Sequence, residues 1–282
     1  MSQPTNQPRW PELRDLRPGV IPLGPLSMSE IFTATLDTLR RHAALLFGTS
    51  LVVLAVTRVL VNWLTAPMLR DLPRLPARPT QGQFNEYLFA LMPISGIDTA
   101  ISTLALVFIS GIATVAVGRA VLGQPISFGE AAADLKPRIL PLIGLTLLVS
   151  LVVALGLLAL VVPGVWLAIL LALAAPALVL ERCTIVQALT RSRELVRNHW
   201  WRIFGILALV FVVILGVNAL AVTITGDTIA TEGLFGLPLL GEIIAGALTA
   251  PFAAVVTALI YVDRRFHTDD LALELARAAG LK

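Results

Sequence analysis

A single cysteine, Cys183, stands in 282 residues, which excludes an intrachain disulfide and a cysteine-rich metal site. Lysine occurs only at Lys136 and Lys282, so the net charge of +3 comes almost wholly from arginine. Charged residues make up 14% of the chain, against about a quarter in soluble domains. That scarcity, with 57% hydrophobic residues and a mean hydropathy of +0.86, excludes a soluble globular protein and places the chain in the membrane class. Arginine bias with abundant alanine and leucine matches a GC-rich bacterial genome. No apolar leader opens the chain: six prolines (Pro4, Pro8, Pro11, Pro18, Pro22, Pro25) fall in residues 1–26, which read as a disordered cytoplasmic tail.

What is present is long apolar runs. A hydrocarbon core about 30 Å thick needs roughly 20 helical residues to cross. Runs at 43–65, 99–121, 139–162, 203–224 and 239–262 meet that length, and a sixth at 165–180 follows Pro163-Gly164. The spacing predicts a tight turn at Pro163-Gly164, with Trp166 at the membrane interface, and six crossings in an all-α domain over residues 27–266. A short cytoplasmic helix is expected over 267–282. With the N-terminus inside, seventeen arginines and lysines fall on the cytoplasmic side and three, Arg70, Arg74 and Arg78, outside. The positive-inside rule then puts both termini in the cytoplasm of a bacterial inner membrane.

The stretch "TIVQALTRSRELVRNHWWRIFG", residues 184–205, mixes arginines with aromatics. On a helical wheel, Ile185, Ala188, Leu189, Ser192, Leu195, Val196, Trp200 and Ile203 share an arc of about 140°. Such a helix is expected to lie in the headgroup plane, with Arg191, Arg193 and Arg197 toward anionic lipid and Trp200 and Trp201 as interfacial anchors. Nucleic-acid binding is excluded, because no soluble module surrounds these residues. The unit recurs. Thr184 with Gln187, Ser27 with Glu30 and Ser127 with Glu130 each form a capping-box pattern. Thirteen, fifteen, twenty and twenty-one residues past the first two caps stand Arg197 and Arg40, His199 and His42, Phe204 and Phe47, Gly205 and Gly48. Three parallel repeats follow, at about 27–122, 127–181 and 184–264, each an interfacial amphipathic helix plus a transmembrane hairpin.

The segments "IPLGPLSMSEIFTATLDTLRRHAALLFG", "GQPISFGEA", "APALVLERCTIVQALTRSRELVRNHWWRIFG" and "YVDRRFHTDDLALELARA" together resemble a bacterial multi-pass family, the membrane domain of glycerophosphoryl diester phosphodiesterases. The resemblance covers roughly residues 21–279 and is carried mainly by 175–205. The catalytic barrel of such enzymes, with its His-Arg-Gly and paired acids, has no counterpart here. The resemblance therefore implies a membrane architecture and no hydrolase activity.

Charges inside the hydrocarbon are the first functional candidates, because a mid-membrane arginine costs about 2.5–3.5 kcal/mol on insertion scales. Arg58 either pairs with Asp98 or Glu242, or snorkels to the outer headgroups. Glu181, Arg182, Asp263 and Arg264, with Arg119, gather at the cytoplasmic ends, as a gate, a docking surface or solvated helix-end charges. Pro176 and Pro251 read as kinks, and Gly144, Gly156, Gly205, Gly216 and Gly246 as close helix contacts. His42 and His199 are expected to be packed and hydrogen-bonded rather than metal ligands, Ser192 a packing residue and Cys183 inert. "FNEYLFALM" in the outside loop 66–98 reads as a lid or an interfacial segment. No catalytic cluster, metal or cofactor is expected. The expected partners are anionic lipids and a membrane or cytoplasmic protein. Function narrows to a non-enzymatic scaffold or assembly factor, ahead of a transporter or lipid-handling protein, with an intramembrane enzyme last.

Overall fold

The computed structural model describes residues 26–73, 76, 78–121, 123–226 and 236–268. The proline-rich tail up to residue 25 and the expected helix beyond 268 lie outside the described residues. Every element among them is helical, and six are long and apolar enough to cross a membrane.

All three capping boxes form. Ser27 Oγ accepts from the Glu30 N–H at 3.2 Å while Glu30 Oε2 accepts from the Ser27 N–H at 2.6 Å. The matching pairs are 3.3 and 2.9 Å at Ser127–Glu130 and 3.4 and 2.9 Å at Thr184–Gln187. Each begins an amphipathic helix: α1 (Met28–Arg41), α4 (Phe128–Leu135) and α8 (Ile185–Arg197). Each leads directly into a long apolar helix: α2 (Ala43–Arg70), α5 (Ile139–Ala159) and α9 (Trp200–Thr225). The bends before α2 and α9 sit on His42 (φ −114, ψ 29) and His199 (φ −130, ψ 23), two similar backbone geometries. A 3₁₀ turn over Lys136–Arg138 makes the third connection.

α3 (Gln81–Val121) is one helix of 41 residues. "FNEYLFALM", expected as a separate segment, is its first part. Pro93 removes one backbone donor without ending the helix, as membrane helices tolerate. A fourth box starts α3, with Gln83 Oε1 accepting from the Thr80 N–H at 3.0 Å and Thr80 Oγ1 accepting from Gln83 at 3.4 Å. At about 1.5 Å per residue α3 is some 60 Å long, twice the hydrocarbon thickness.

The turn expected at Pro163-Gly164 lies three residues earlier. Leu160 is extended (φ −164, ψ 148), and Pro163 sits in the first turn of α6 (Val161–Leu171). A missing amide proton costs nothing there, since first-turn amides have no helical partner. Gly164 serves contact: a Cβ on it would meet Leu157 at 2.5 Å, and one on Gly156 would meet the Gly164 Cα at 3.0 Å. Pro176 acts the same way four residues downstream of a second break. Its ring opposes the Ala172 carbonyl, so the helix stops at Ala172–Leu173 and restarts as α7 (Ala174–Leu180). Pro251, in contrast, lies within a continuous α10 (Leu237–Thr268). Of the other predicted contact glycines, a Cβ on Gly246 would meet Leu54 at 2.9 Å and one on Gly144 would meet Ile185 at 3.2 Å. Gly205 only approaches Met28, and Gly216 faces open space.

The packing follows a cyclic rule. α2 lies along α3 and α10, α5 along α6 and against α3, and α9 along α10 and against α6. α4 packs on α3, α8 on α7, and α1 on α10. The contiguous core lies at the end that carries α1, α4 and α8, called here the capped end. There Ile31, Ala131, Leu135, Ala188, Leu195 and Val196 are each 2% exposed or less. This corrects the sequence expectation. The apolar arcs of the amphipathic helices cover protein rather than lipid, because the flanking α3, α7 and α10 supply the apolar surface they need. Broad lipid-type faces remain elsewhere, at Leu158, Val212 and Trp63 among others.

Candidate functional site

Two charged centres tie the helices together. Toward the end away from the caps, Arg58 of α2 divides its guanidinium between two helices. Nη1 meets Asp98 Oδ1 of α3 at 2.6 Å, and Nη2 meets Glu242 Oε1 of α10 at 2.8 Å. Asp98 also accepts from Ser102 Oγ at 3.2 Å. Contact between Leu54 and Gly246 brings α2 and α10 close enough for the fork to reach. Both carboxylates named by the sequence are used, and the snorkelling alternative is set aside: this arginine has protein partners at its own level. The geometry locks three helices with one planar donor, a role that suits arginine better than lysine.

At the capped end, Asp263 and Arg264 are 1% and 2% exposed. They are therefore not the solvated helix-end charges that remained an alternative. Asp263 Oδ1 accepts from the Leu26 N–H at 2.8 Å, and Oδ2 meets Arg264 Nη2 at 2.6 Å and Nε at 3.0 Å. Arg202 of α9 completes the knot, 3.3 Å from Asp263 Oδ2, and donates to the Leu26 carbonyl. A buried carboxylate persists only with such partners, because its desolvation costs several kcal/mol. Nothing in the sequence tied Arg202 or Leu26 to Asp263, from which both lie far along the chain.

Glu181 forms a second cluster where α7 ends. Its Oε1 accepts from Arg191 Nε at 3.0 Å and from the Tyr261 hydroxyl, with Arg265 Nε at 3.7 Å. Arg191, expected to face anionic lipid, instead turns inward to this carboxylate. Tyr261 was missed because a tyrosine within an apolar run carries no positional signal. Arg182 is exposed with φ 55, the left-handed geometry common just past a helix end. Arg119 does not join these groups: it pairs with Asp134 at 2.9 Å, fastening α3 to α4.

Ser192 is more than packing. Its hydroxyl donates to the Leu170 carbonyl at 2.8 Å and accepts from the Leu173 N–H at 3.2 Å. It thereby satisfies two of the backbone groups opened by the break between α6 and α7. Cys183 points its thiol at the Ala177 carbonyl, 3.7 Å away. Burial, and secondarily the Glu181 charge, push that thiol up, away from the reactive thiolate. His42 is shifted the other way: burial first, then Arg41, lower its pKa. Among the described residues no group of three His, Cys, Asp or Glu side chains gathers as a metal site would.

Arg193, Arg197 and Trp201 are exposed. Trp200 stacks on Phe204 (5.1 Å between centroids, 7° between planes) and directs Nε1 to the Trp166 carbonyl at 3.4 Å. Trp166 therefore lies beside the start of α9. α6 and α7 run along α8, so the start of α6 turns back toward the capped end beside α9. Between them lies an open groove of about 790 Å³, with Val161, Val165 and Trp166 on one side and Arg197, Trp200 and Phe204 on the other. No protein-family model matches this chain, and comparison with curated proteins and with solved structures gives no match.

Proposed function

We propose that the chain is a non-enzymatic membrane scaffold or assembly factor of the bacterial inner membrane, with both termini cytoplasmic. One observation carries this: its buried charges hold helices to one another while arginines of the same capped end face outward. Asp263 binds Arg202 of α9, and Glu181 at the end of α7 binds Arg191 of α8 and Arg265 of α10. Arg182, Arg193 and Arg197 are exposed, on the side that the positive-inside rule assigns to the cytoplasm. A rigid body with an arginine-rich cytoplasmic rim suits gripping a protein partner or anionic lipid. The three-repeat architecture belongs to this proposal, supported by three capping boxes and by α1 taking on α10 the place that α4 takes on α3. Both termini stay on one side whether the α5–α6–α7 pair crosses fully or enters and leaves by one face. Membership in the phosphodiesterase membrane-domain family is likewise proposed, on the quoted segments.

The alternative, a transporter or lipid-handling protein with a site between the repeats, draws on the groove between α6 and α9. The test of the scaffold reading is native mass spectrometry of the protein extracted in its own lipids. A reproducible polypeptide partner, lost on Arg193→Glu with the fold retained, is the expected result. Extraction that yields no such partner, or one indifferent to Arg193, overturns it.

A further inference from the structure

The groove between α6 and the α8–α9 bend has two unlike sides and one sign of charge. Its floor is apolar: Val161 and Val162 at the start of α6 are 68% and 78% exposed, and Trp200 stacked on Phe204 forms an aromatic slab opposite. Two arginines line it, Arg197 and Arg202, and no carboxylate does. Arg202 is engaged by Asp263 and Leu26. Arg197 is exposed and makes no ion pair among the described residues, unlike Arg191 beside it on the same helix. Asn198, a neutral donor, is its neighbour in the lining.

The groove exists because the packing rule loosens at this place. α2 packs extensively on α10, whereas α9 touches α6 only lightly. Leu160, next in the chain to the lining Val161, is 68% exposed and extends the lipid-type surface beyond the groove. An occupant can therefore arrive laterally from the bilayer. Inorganic phosphate would satisfy Arg197 and leave the valines and Trp166 wet. A neutral apolar chain would do the reverse. An amphiphile with one anionic head fits both sides, and a volume of about 790 Å³ is within the usual few hundred to 1,000 Å³ for ligand sites.

We propose that this groove binds one anionic phospholipid, its phosphate on Arg197 with Asn198 beside it, and an acyl chain along Val161, Val165 and Trp166. The exposed Trp201 next to it marks headgroup depth, where tryptophan prefers to lie. The site develops the lipid-handling reading above and does not depend on the scaffold reading. Presence or absence of a polypeptide partner leaves the ratios below unchanged.

The test uses the full chain, delipidated in detergent and titrated with phosphatidylglycerol or phosphatidylcholine of identical chains, with bound lipid counted by native mass spectrometry. Expected are one retained phosphatidylglycerol, at least tenfold preference over phosphatidylcholine, and a tenfold loss of that preference in Arg197→Gln. Arg40→Gln, an exposed arginine of α1 outside the groove, should bind as the parent does. Val165→Trp, which fills the apolar side, should weaken both lipids together while circular dichroism and melting temperature hold. A phosphatidylglycerol carrying bromine on its acyl chain should quench tryptophan fluorescence in the parent and much less in Val165→Trp. Equal loss in Arg40→Gln and Arg197→Gln would reduce the effect to surface charge and overturn the site. So would equal retention of the two lipids, no response to Val165→Trp, or glycerol phosphate displacing the lipid at equal concentration.

Discussion

Arg58 shows how far a single residue was legible. An arginine within an apolar run calls for a partner or for the headgroups, and two acids stood at the same outer face. What the sequence left open was whether one, both or neither would be taken, since that depends on the approach of α2 to α10 at Gly246. Arg58→Leu leaves two carboxylates facing each other without a cation. Full burial of such a broken pair costs 3–5 kcal/mol, and with the acids about 40% exposed a loss of about 1–2 kcal/mol is expected. Thermal unfolding in detergent should show it, and Asp98→Asn with Glu242→Gln in the same chain should recover most of it. His42 gives a pH dependence with a definite sign. Its pKa is lowered in the fold, so the unfolded chain takes up the proton first. Stability is therefore whole above the unfolded value near 6.5 and falls as pH drops through it. A melting series from pH 7.5 to 5 should lose part of that slope in His42→Gln. An unchanged slope would assign it to other groups.

At the scale of elements, helix starts were the most readable feature, because a capping box is local chemistry within four residues. The fourth box, Thr80–Gln83, has the same signature and went unread because proline-rich sequence around it suggested a loop. Breaks were less readable. Proline fixes where a helix cannot continue backward, so the interruptions appear three to four residues before Pro163 and Pro176, at Leu160 and at Ala172–Leu173. Whether such a break survives depends on another element. Ser192 of α8 satisfies the one near Leu170, and no residue of the α6–α7 run hints at it. Ser192→Ala leaves a buried carbonyl and a buried N–H without that partner. A loss of about 1–3 kcal/mol is expected, with faster hydrogen exchange at Leu173. Equal exchange in parent and variant would mean that the break needs no partner.

For the whole molecule, composition and charge bias gave the membrane class and the number of apolar runs, which the six long helices match. Which surface the amphipathic helices cover was out of reach, because an apolar arc suits lipid and protein equally. Only the packing partners decide, and those lie in other parts of the chain: Asp263 with Leu26, Tyr261 with Glu181. Asp263→Asn removes the charge that Arg264 and Arg202 share in a buried place. A loss of about 3–5 kcal/mol is expected, read as a fall in melting temperature together with earlier protease cleavage just ahead of α1. Cleavage unchanged with stability lost would separate the ion pairs from the hold on Leu26.

The seating of α1 on α10 would close the proposed three-repeat arrangement into a circle. In a linear stack of similar units, the two outermost have one neighbour each and open first. A circle has no outermost unit: α1 and α10, near opposite ends of the covalent chain, guard each other as α3 and α4 do in its middle. Slow hydrogen exchange in α1 and the last turns of α10 should then match that of α3, and the molecule should open all at once rather than peel from its ends.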